Sequence, residues 1–167
     1  PNEFAITGLG PSFLNVAQYP LMKQILVEIM KMRYVSSQNN YHLFEMGTGG
    51  NGASLIVHED ANHMRGYQGY GGVHHIAFRT EDKEHLESWR AHFNELGLMN
   101  SGPVDRFYFK SVYIRLYPGI LFELATDGPG FMDDEEDYEI LGEKLTLPPH
   151  LREQRDYVMT QLKDFDT

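Results

Sequence analysis

Two stretches decide how this chain is read: Gly72-Val73-His74-His75-Ile76-Ala77-Phe78-Arg79 and Gly119-Ile120-Leu121-Phe122-Glu123-Leu124-Ala125-Thr126-Asp127. Both read as strands, because β-branched and aromatic residues suit a pleated, half-buried surface. Each opens on glycine and carries one potential metal ligand within an apolar run. An isolated imidazole or carboxylate is costly in a core unless it is paired or bound to something. One histidine and one carboxylate are two parts of the 2-His-1-carboxylate set that suits Fe(II).

Working outward, the same order of elements occurs twice. Pro11 to Val16 reads as a strand, and Pro20 suits a first helical turn, where its missing N–H costs nothing. Leu21, Met22, Ile25, Leu26, Ile29 and Met30 recur at helical spacing. The methionines from Met22 to Met32 read as core filler. Strands follow at Tyr34 to Ser36, Tyr41 to Met46 and Ala53 to His58. The glycine-dense Gly47-Thr48-Gly49-Gly50-Asn51-Gly52 reads as a hairpin loop, since a phosphate loop needs a lysine and a following helix.

After a Gly- and Tyr-rich linker at 62–71 the pattern restarts. Gly72 to Thr80 is a predicted strand, and Thr80 a predicted helix cap. Leu86, Trp89, Phe93 and Leu96 form the buried face of that helix, and Gly97 stops it. Strands are predicted at Leu98 to Ser101, at Phe107 to Leu116 with a bend near Lys110, and at Ile120 to Ala125. The expected fold is therefore α+β: two tandem βαβββ modules, 1–61 and 72–127, forming curved mixed sheets. A tail at 128–167 follows, with a helix from His150 to Leu162. Setting Leu14-Asn15-Val16 over Phe78-Arg79-Thr80 places Pro11 opposite His75. Setting Gly52 over Gly119 places Ile56 opposite Glu123. The first module thus has apolar residues where the second has ligands.

Composition narrows the classes of function. A length of 167 residues gives one compact domain or two small units sharing a core, and 41% apolar content suffices to bury one. No run approaches the roughly eighteen apolar residues of a membrane span. The chain has no cysteine, so disulfides, thiolate metal sites and cysteine nucleophiles are excluded, in keeping with a cytoplasmic setting. A net charge of −10 argues against nucleic acid as a partner. Much of the excess lies in Asp133-Asp134-Glu135-Glu136-Asp137, which reads as a solvated loop. Residues 1–7 are expected to fray, and Pro1 points to a piece of a longer or processed chain.

A βαβββ repeat with His75-Ile76-Ala77-Phe78 opening one unit and Phe122-Glu123-Leu124-Ala125 closing it resembles the vicinal oxygen chelate superfamily. That superfamily includes glyoxalase I, bleomycin-resistance proteins and type I extradiol dioxygenases. Longer strings carry a closer resemblance. Val73 to Arg79, Asp105-Arg106-Phe107-Tyr108-Phe109-Lys110-Ser111-Val112-Tyr113, and Gly119 to Phe131 resemble the C-terminal half of bacterial hydroquinone ring-cleaving dioxygenases. Leu141-Gly142-Glu143-Lys144-Leu145 and Leu147-Pro148-Pro149 fit that family too.

The resemblance implies a mononuclear Fe(II) or Mn(II) enzyme that opens a hydroquinone-type ring with O2. His75 and Glu123 match two of the family's metal ligands. Arg106 and Tyr113 match residues beside the substrate, and His74 joins them. Family members carry an earlier pair of βαβββ units with a third ligand, a histidine, that has no counterpart here. The chain is thereby expected to be a C-terminal half that pairs with a missing N-terminal half, or with a second copy of itself through an open sheet edge.

On chemical grounds Tyr113 can donate a proton or hydrogen bond to an aromatic substrate, and Arg106 can stabilise a developing anion. The structural alternatives are a core-edge tyrosine and a surface ion pair. From a regular strand, His74 and His75 point to opposite faces and do not both reach one ion. Phe107, Tyr108 and Phe109 line an aromatic pocket or simply pack. The remaining histidines show no ligand spacing, and His85 and His92 are expected on an exposed helix face. Two other classes stay open: a metal-free cup for an aromatic ligand, and a glyoxalase-type isomerase or lyase. Ile56 weakens the second, since that chemistry takes two carboxylates around the metal.

Overall fold

The computed structural model of the protein describes residues 2–4, 8–134 and 138–162. Residues 1 and 5–7, where fraying is expected, and residues 135–137 of the acidic run lie outside the described residues. The first module runs β1 (Ser12–Val16), α1 (Tyr19–Gln24), β2 (Arg33–Gln38), β3 (Tyr41–Glu45) and β4 (Ser54–Glu59). The second runs β5 (Ile76–Thr80), α2 (Lys83–Glu95), β6 (Val104–Asp105), β7 (Lys110–Tyr117) and β8 (Ile120–Thr126). The strands form two four-stranded sheets of matching order, β1-β4-β3-β2 and β5-β8-β7-β6. The α+β double βαβββ architecture is present as the sequence predicts. A last helix, α3 (Arg155–Gln161), follows a 3-10 turn at Pro149–Gln154.

By contacts the chain divides into two compact units, residues 1–76 with 114–122, and residues 77–113 with 123–167. In the first unit, β1 runs parallel to β4 with Phe13 opposite Ile56, and β3 runs antiparallel to β4. The pleat alternates cleanly. His42 and Phe44 face the interior with their cross-strand partners Val57 and Leu55. Pro20 opens α1, and Met22, Leu26 and Met30, at helical four-residue spacing, are fully buried. With Met32 also buried, these methionines are core filler.

The helix does not stay α-helical to its end. Residues Ile25–Ile29 widen into a π turn, with Met30 N–H bonded to Ile25 O at 2.9 Å. The edge strand β2 is exposed along its length and carries a bulge between Tyr34 and Ser36. A bulged, exposed edge of this kind resists pairing with another sheet.

The second unit corrects several expectations. Asp82, not Thr80, caps α2: its carboxylate accepts the His85 N–H at 2.7 Å, while Thr80 is buried at the end of β5. Leu86 and Phe93 are the buried pair of α2, whereas Trp89 is half-buried and Leu96 is half exposed. His85 and His92 are both half-buried, because the Trp89 indole N–H donates to His85 Nε2 at 3.2 Å and Trp89 packs edge-on to His92. Gly97 ends the helix at φ +69° as expected.

The predicted strand at Leu98 to Ser101 is reduced to a single bridge at Asn100. There the Asn100 side chain bonds Leu98 O and Gly102 N, offering the backbone an alternative to a ladder. The pairing falls instead to β6, with Val104 opposite Ser111. Residues Phe107 to Phe109 form a turn, with Phe107 at φ +69° and its N–H held by the Asp105 carboxylate at 2.8 Å. β7 therefore begins and ends later than the predicted Phe107 to Leu116, while β8 begins at Ile120 as expected and extends past Ala125 to Thr126.

Candidate functional site

The first unit places His74 and His75 in the irregular segment just before β5, one step outside the strand in which both were expected. Freed from strand alternation, the two rings meet. Their Nδ1 atoms stand 2.9 Å apart, and the rings lie edge to face with centroids at 5.1 Å. Such a contact needs a hydrogen on one Nδ1 and a lone pair on the other. The Gln68 amide donates to His74 O at 2.9 Å, tying this segment back to the linker. Sequence reasoning missed Gln68, since a lone glutamine in a Gly- and Tyr-rich linker gives no signal.

The position of His75 also preserves the repeat. It immediately precedes the five-residue β5, as Pro11 immediately precedes the five-residue β1. The correspondence of Pro11 with His75 is therefore carried by the backbone as well as by the letters.

In the second unit Glu123 sits mid-strand in β8 with only 2% of its surface exposed, between Phe122 and Leu124. A carboxylate so placed has lost its water and must be compensated inside the protein. No surface strand explains it; the apolar run of β8 draws the carboxylate into the core.

Arg106 and Tyr113 meet each other. The Arg106 Nε and one terminal nitrogen both donate to the Tyr113 hydroxyl oxygen at 3.2 Å. With its lone pairs engaged by a cation, the Tyr113 O–H is left as the donor. Tyr113 is fixed from below: its N–H donates to Ser101 Oγ at 2.9 Å, and Ser101 N–H donates to Tyr113 O at 2.9 Å. Ser101 is a second residue that sequence reasoning missed. Of the aromatic trio, Tyr108 stacks on Phe131 with ring centroids at 4.7 Å and meets Phe107 edge-on at 5.0 Å, so these rings pack against one another.

Two of this unit's ion pairs hold Asp127 and Asp105. Arg79 at the end of β5 holds both Asp127 oxygens from Nε at 2.8 and 2.6 Å. This hydrogen bonding, with the attraction of the guanidinium, holds the Asp127 carboxyl below its ordinary range, against a smaller opposing effect of desolvation. Lys110 similarly lowers Asp105 through a 2.8 Å hydrogen bond, aided by the Phe107 N–H.

The structure thus groups His74 with His75 and Arg106 with Tyr113, and buries Glu123. Among the described residues no group of three or more His, Cys, Asp or Glu side chains is placed to hold a metal ion. By donor type alone, a neutral imidazole and a carboxylate are both ligands that suit a divalent transition metal.

Known proteins with this architecture are informative. A domain from Frankia sp. EAN1pec, described as glyoxylase/bleomycin resistance protein/dioxygenase, superposes with a TM-score of 0.63 at 14% identity, over 75% of this chain and 96% of its own. This chain has the vicinal oxygen chelate fold. A further structure with that fold, titled a putative dioxygenase from Bacillus subtilis, reaches a TM-score of 0.84 at 33% identity, over 97% of this chain and 51% of its own.

Curated relatives point the same way. MhqA and MhqE of Bacillus subtilis (strain 168), both named putative ring-cleaving dioxygenases, are 40% identical over 98% of this chain and 51% identical over 92% of it. They are matched over 53% and 50% of their own lengths. The chlorohydroquinone/hydroquinone 1,2-dioxygenase of Sphingobium indicum is 28% identical over 98% of this chain and 51% of its own length. The chain spans about half the length of the curated relatives it matches. No protein-family model matches the chain. Among the described residues no helix is long and apolar enough to cross a membrane.

Proposed function

We propose that this chain is the metal-binding half of a ring-cleaving dioxygenase acting on a hydroquinone-type substrate, a member of the family that includes MhqA and MhqE. The observation that carries this reading is identity of 40% and 51%, spread over nearly the whole chain, with two relatives named for ring cleavage. The buried Glu123, within the Phe122-Glu123-Leu124-Ala125 string, supports it. The reaction breaks one ring C–C bond and adds both atoms of O2, so the opened product carries a new carboxyl and a new carbonyl group.

In this reading His75 and Glu123 supply two protein ligands, and the third comes from the part of the protein that this chain lacks. Fe(II) or Mn(II), when bound there, supplies the electronic contact between an aromatic diol and O2 that neither reactant achieves alone. With His75 as the Nδ1–H donor in its contact with His74, the Nε2 lone pair of His75 is the ligand atom. Tyr113 donates its hydroxyl hydrogen to the substrate, and Arg106 holds that hydroxyl and offsets negative charge as the diol ionises. The natural partner of the chain is the missing half or a second copy.

The test is oxygen uptake with hydroquinone. It uses the iron-loaded chain, alone and fused to the stretch of MhqE that it does not match. The fusion is expected to consume one O2 for each hydroquinone opened and to lose that activity in the Glu123→Ala form. A folded, iron-bearing fusion that consumes no O2 with any hydroquinone would overturn the reading. Tight binding of hydroquinone without iron would favour the metal-free cup instead.

A further inference from the structure

The first unit contains a small cavity, 240 Å³ in volume, that the ring-cleavage reading does not use. It lies between the end of β1, the segment 63–66, and the turn after β7. Its walls are built in. The Gln18 N–H donates to the Tyr117 hydroxyl at 3.0 Å, and Tyr117 is itself buried. On the other side the backbone of Gly66 lies so close to Gly119 that a Cβ added there would meet Gly66 O at 2.9 Å.

The charge of the lining is unlike that of the chain. The molecule carries 24 acidic and 14 Lys and Arg residues, yet no Asp or Glu lines this cavity, while Arg65 and His63 do. Arg65 forms no ion pair with any described residue; its guanidinium stands 5.9 Å from the Tyr67 ring. Asn15 adds a second donor. Its Oδ1 meets His58 Nδ1 at 3.0 Å, and a His58 N–H donating there leaves the Asn15 amide hydrogens for a ligand. Ala17, Met64, Pro118 and Ile120 supply an apolar part of the wall.

We propose that this cavity binds a small organic carboxylate, with the carboxylate on the Arg65 guanidinium and Asn15 amide and the carbon body against the apolar wall. A guanidinium fork matches a planar carboxylate with two parallel hydrogen bonds. The volume equals about eight waters at bulk density, which accommodates a single ring or a short chain. An inorganic anion gains nothing from the apolar wall, and an uncharged ligand lacks the charge-assisted, two-bond pairing with Arg65.

Sodium benzoate, benzamide and inorganic phosphate test this on the isotopically labelled chain at matched ionic strength, followed by amide chemical shifts. Benzoate is expected to shift Gly66 and Gly119 saturably, and benzamide and phosphate to bind at least about tenfold more weakly. Arg65→Met keeps the aliphatic stem and is expected to weaken benzoate about tenfold, with an unchanged circular dichroism spectrum. No saturable shift with benzoate overturns the site. So does equal binding of benzamide or phosphate, or unchanged affinity in Arg65→Met. Should the variant misfold, the comparison of the three ligands on the unaltered chain decides alone.

Discussion

The turn between β7 and β8 offers a perturbation whose cost can be worked out beforehand. Pro118 and Gly119 occupy its two central positions, and Gly119 has φ +84°, the geometry of a type II turn that calls for glycine. Gly119→Ala has two costs. An L-residue in the left-handed region loses about 1–2 kcal/mol. The new Cβ also meets Gly66 O at 2.9 Å and Gly66 N at 3.1 Å. Those atoms are backbone and cannot rotate away, so the strain adds about 1–3 kcal/mol as overpacking does. Gly97→Ala is the matched control: φ is +69° there, and an added Cβ meets nothing within 4 Å. It bears the first cost alone. Urea unfolding of both variants, compared at equal slope, is expected to place the Gly119→Ala midpoint clearly below that of Gly97→Ala. Equal midpoints would falsify the close approach of residues 65–66 to this turn, and with it the wall of the carboxylate cavity.

Three further outcomes follow from the same geometry. Asp82→Ala removes the acceptor for the His85 N–H and is expected to cost about 1 kcal/mol in urea unfolding, against no measurable loss for Asp82→Ser. Because Arg79 lowers the Asp127 carboxyl, its stabilisation is present above the unfolded value near 3.9 and lost as pH falls through the lower folded value. Asp127→Asn should therefore differ from the unaltered chain at pH 7 and converge with it in strong acid; a gap constant with pH contradicts the pairing. In the fusion with MhqE, Tyr113→Phe should lower the rate of oxygen uptake about a hundredfold while leaving iron content unchanged. An unchanged rate removes Tyr113 from the chemistry.

Much of the fold was legible in the sequence, because apolar periodicity and glycine punctuation report directly on pleat and turn. The four-residue stripe of Met22, Leu26 and Met30, the strand opening at Tyr41 and the stop at Gly97 all read correctly. The errors share a cause: local side-chain hydrogen bonds competed with the pattern. Asp82 took the cap from Thr80 because its carboxylate reaches the His85 N–H. Asn100 turned a predicted strand into a bridge by bonding Leu98 and Gly102.

The candidate site was legible only where chemistry and strand pattern collide. Glu123 stands out as a carboxylate in an apolar run, and it is buried. The meeting of His74 with His75 was hidden, because alternation assumes a strand and both residues lie before it. Gln68 and Ser101 act on backbone atoms six and twelve residues away, and such contacts leave no mark in apolar periodicity.

In the proposed function His75 and Glu123 are metal ligands. Equilibrium binding of Fe(II) and Mn(II) under anaerobic conditions tests it directly on the unaltered chain, His75→Ala and Glu123→Ala. Each substitution is expected to weaken binding at least about tenfold. All three chains must give cooperative unfolding for the comparison to stand. Equal uptake of metal by the three would contradict the assignment of these two residues.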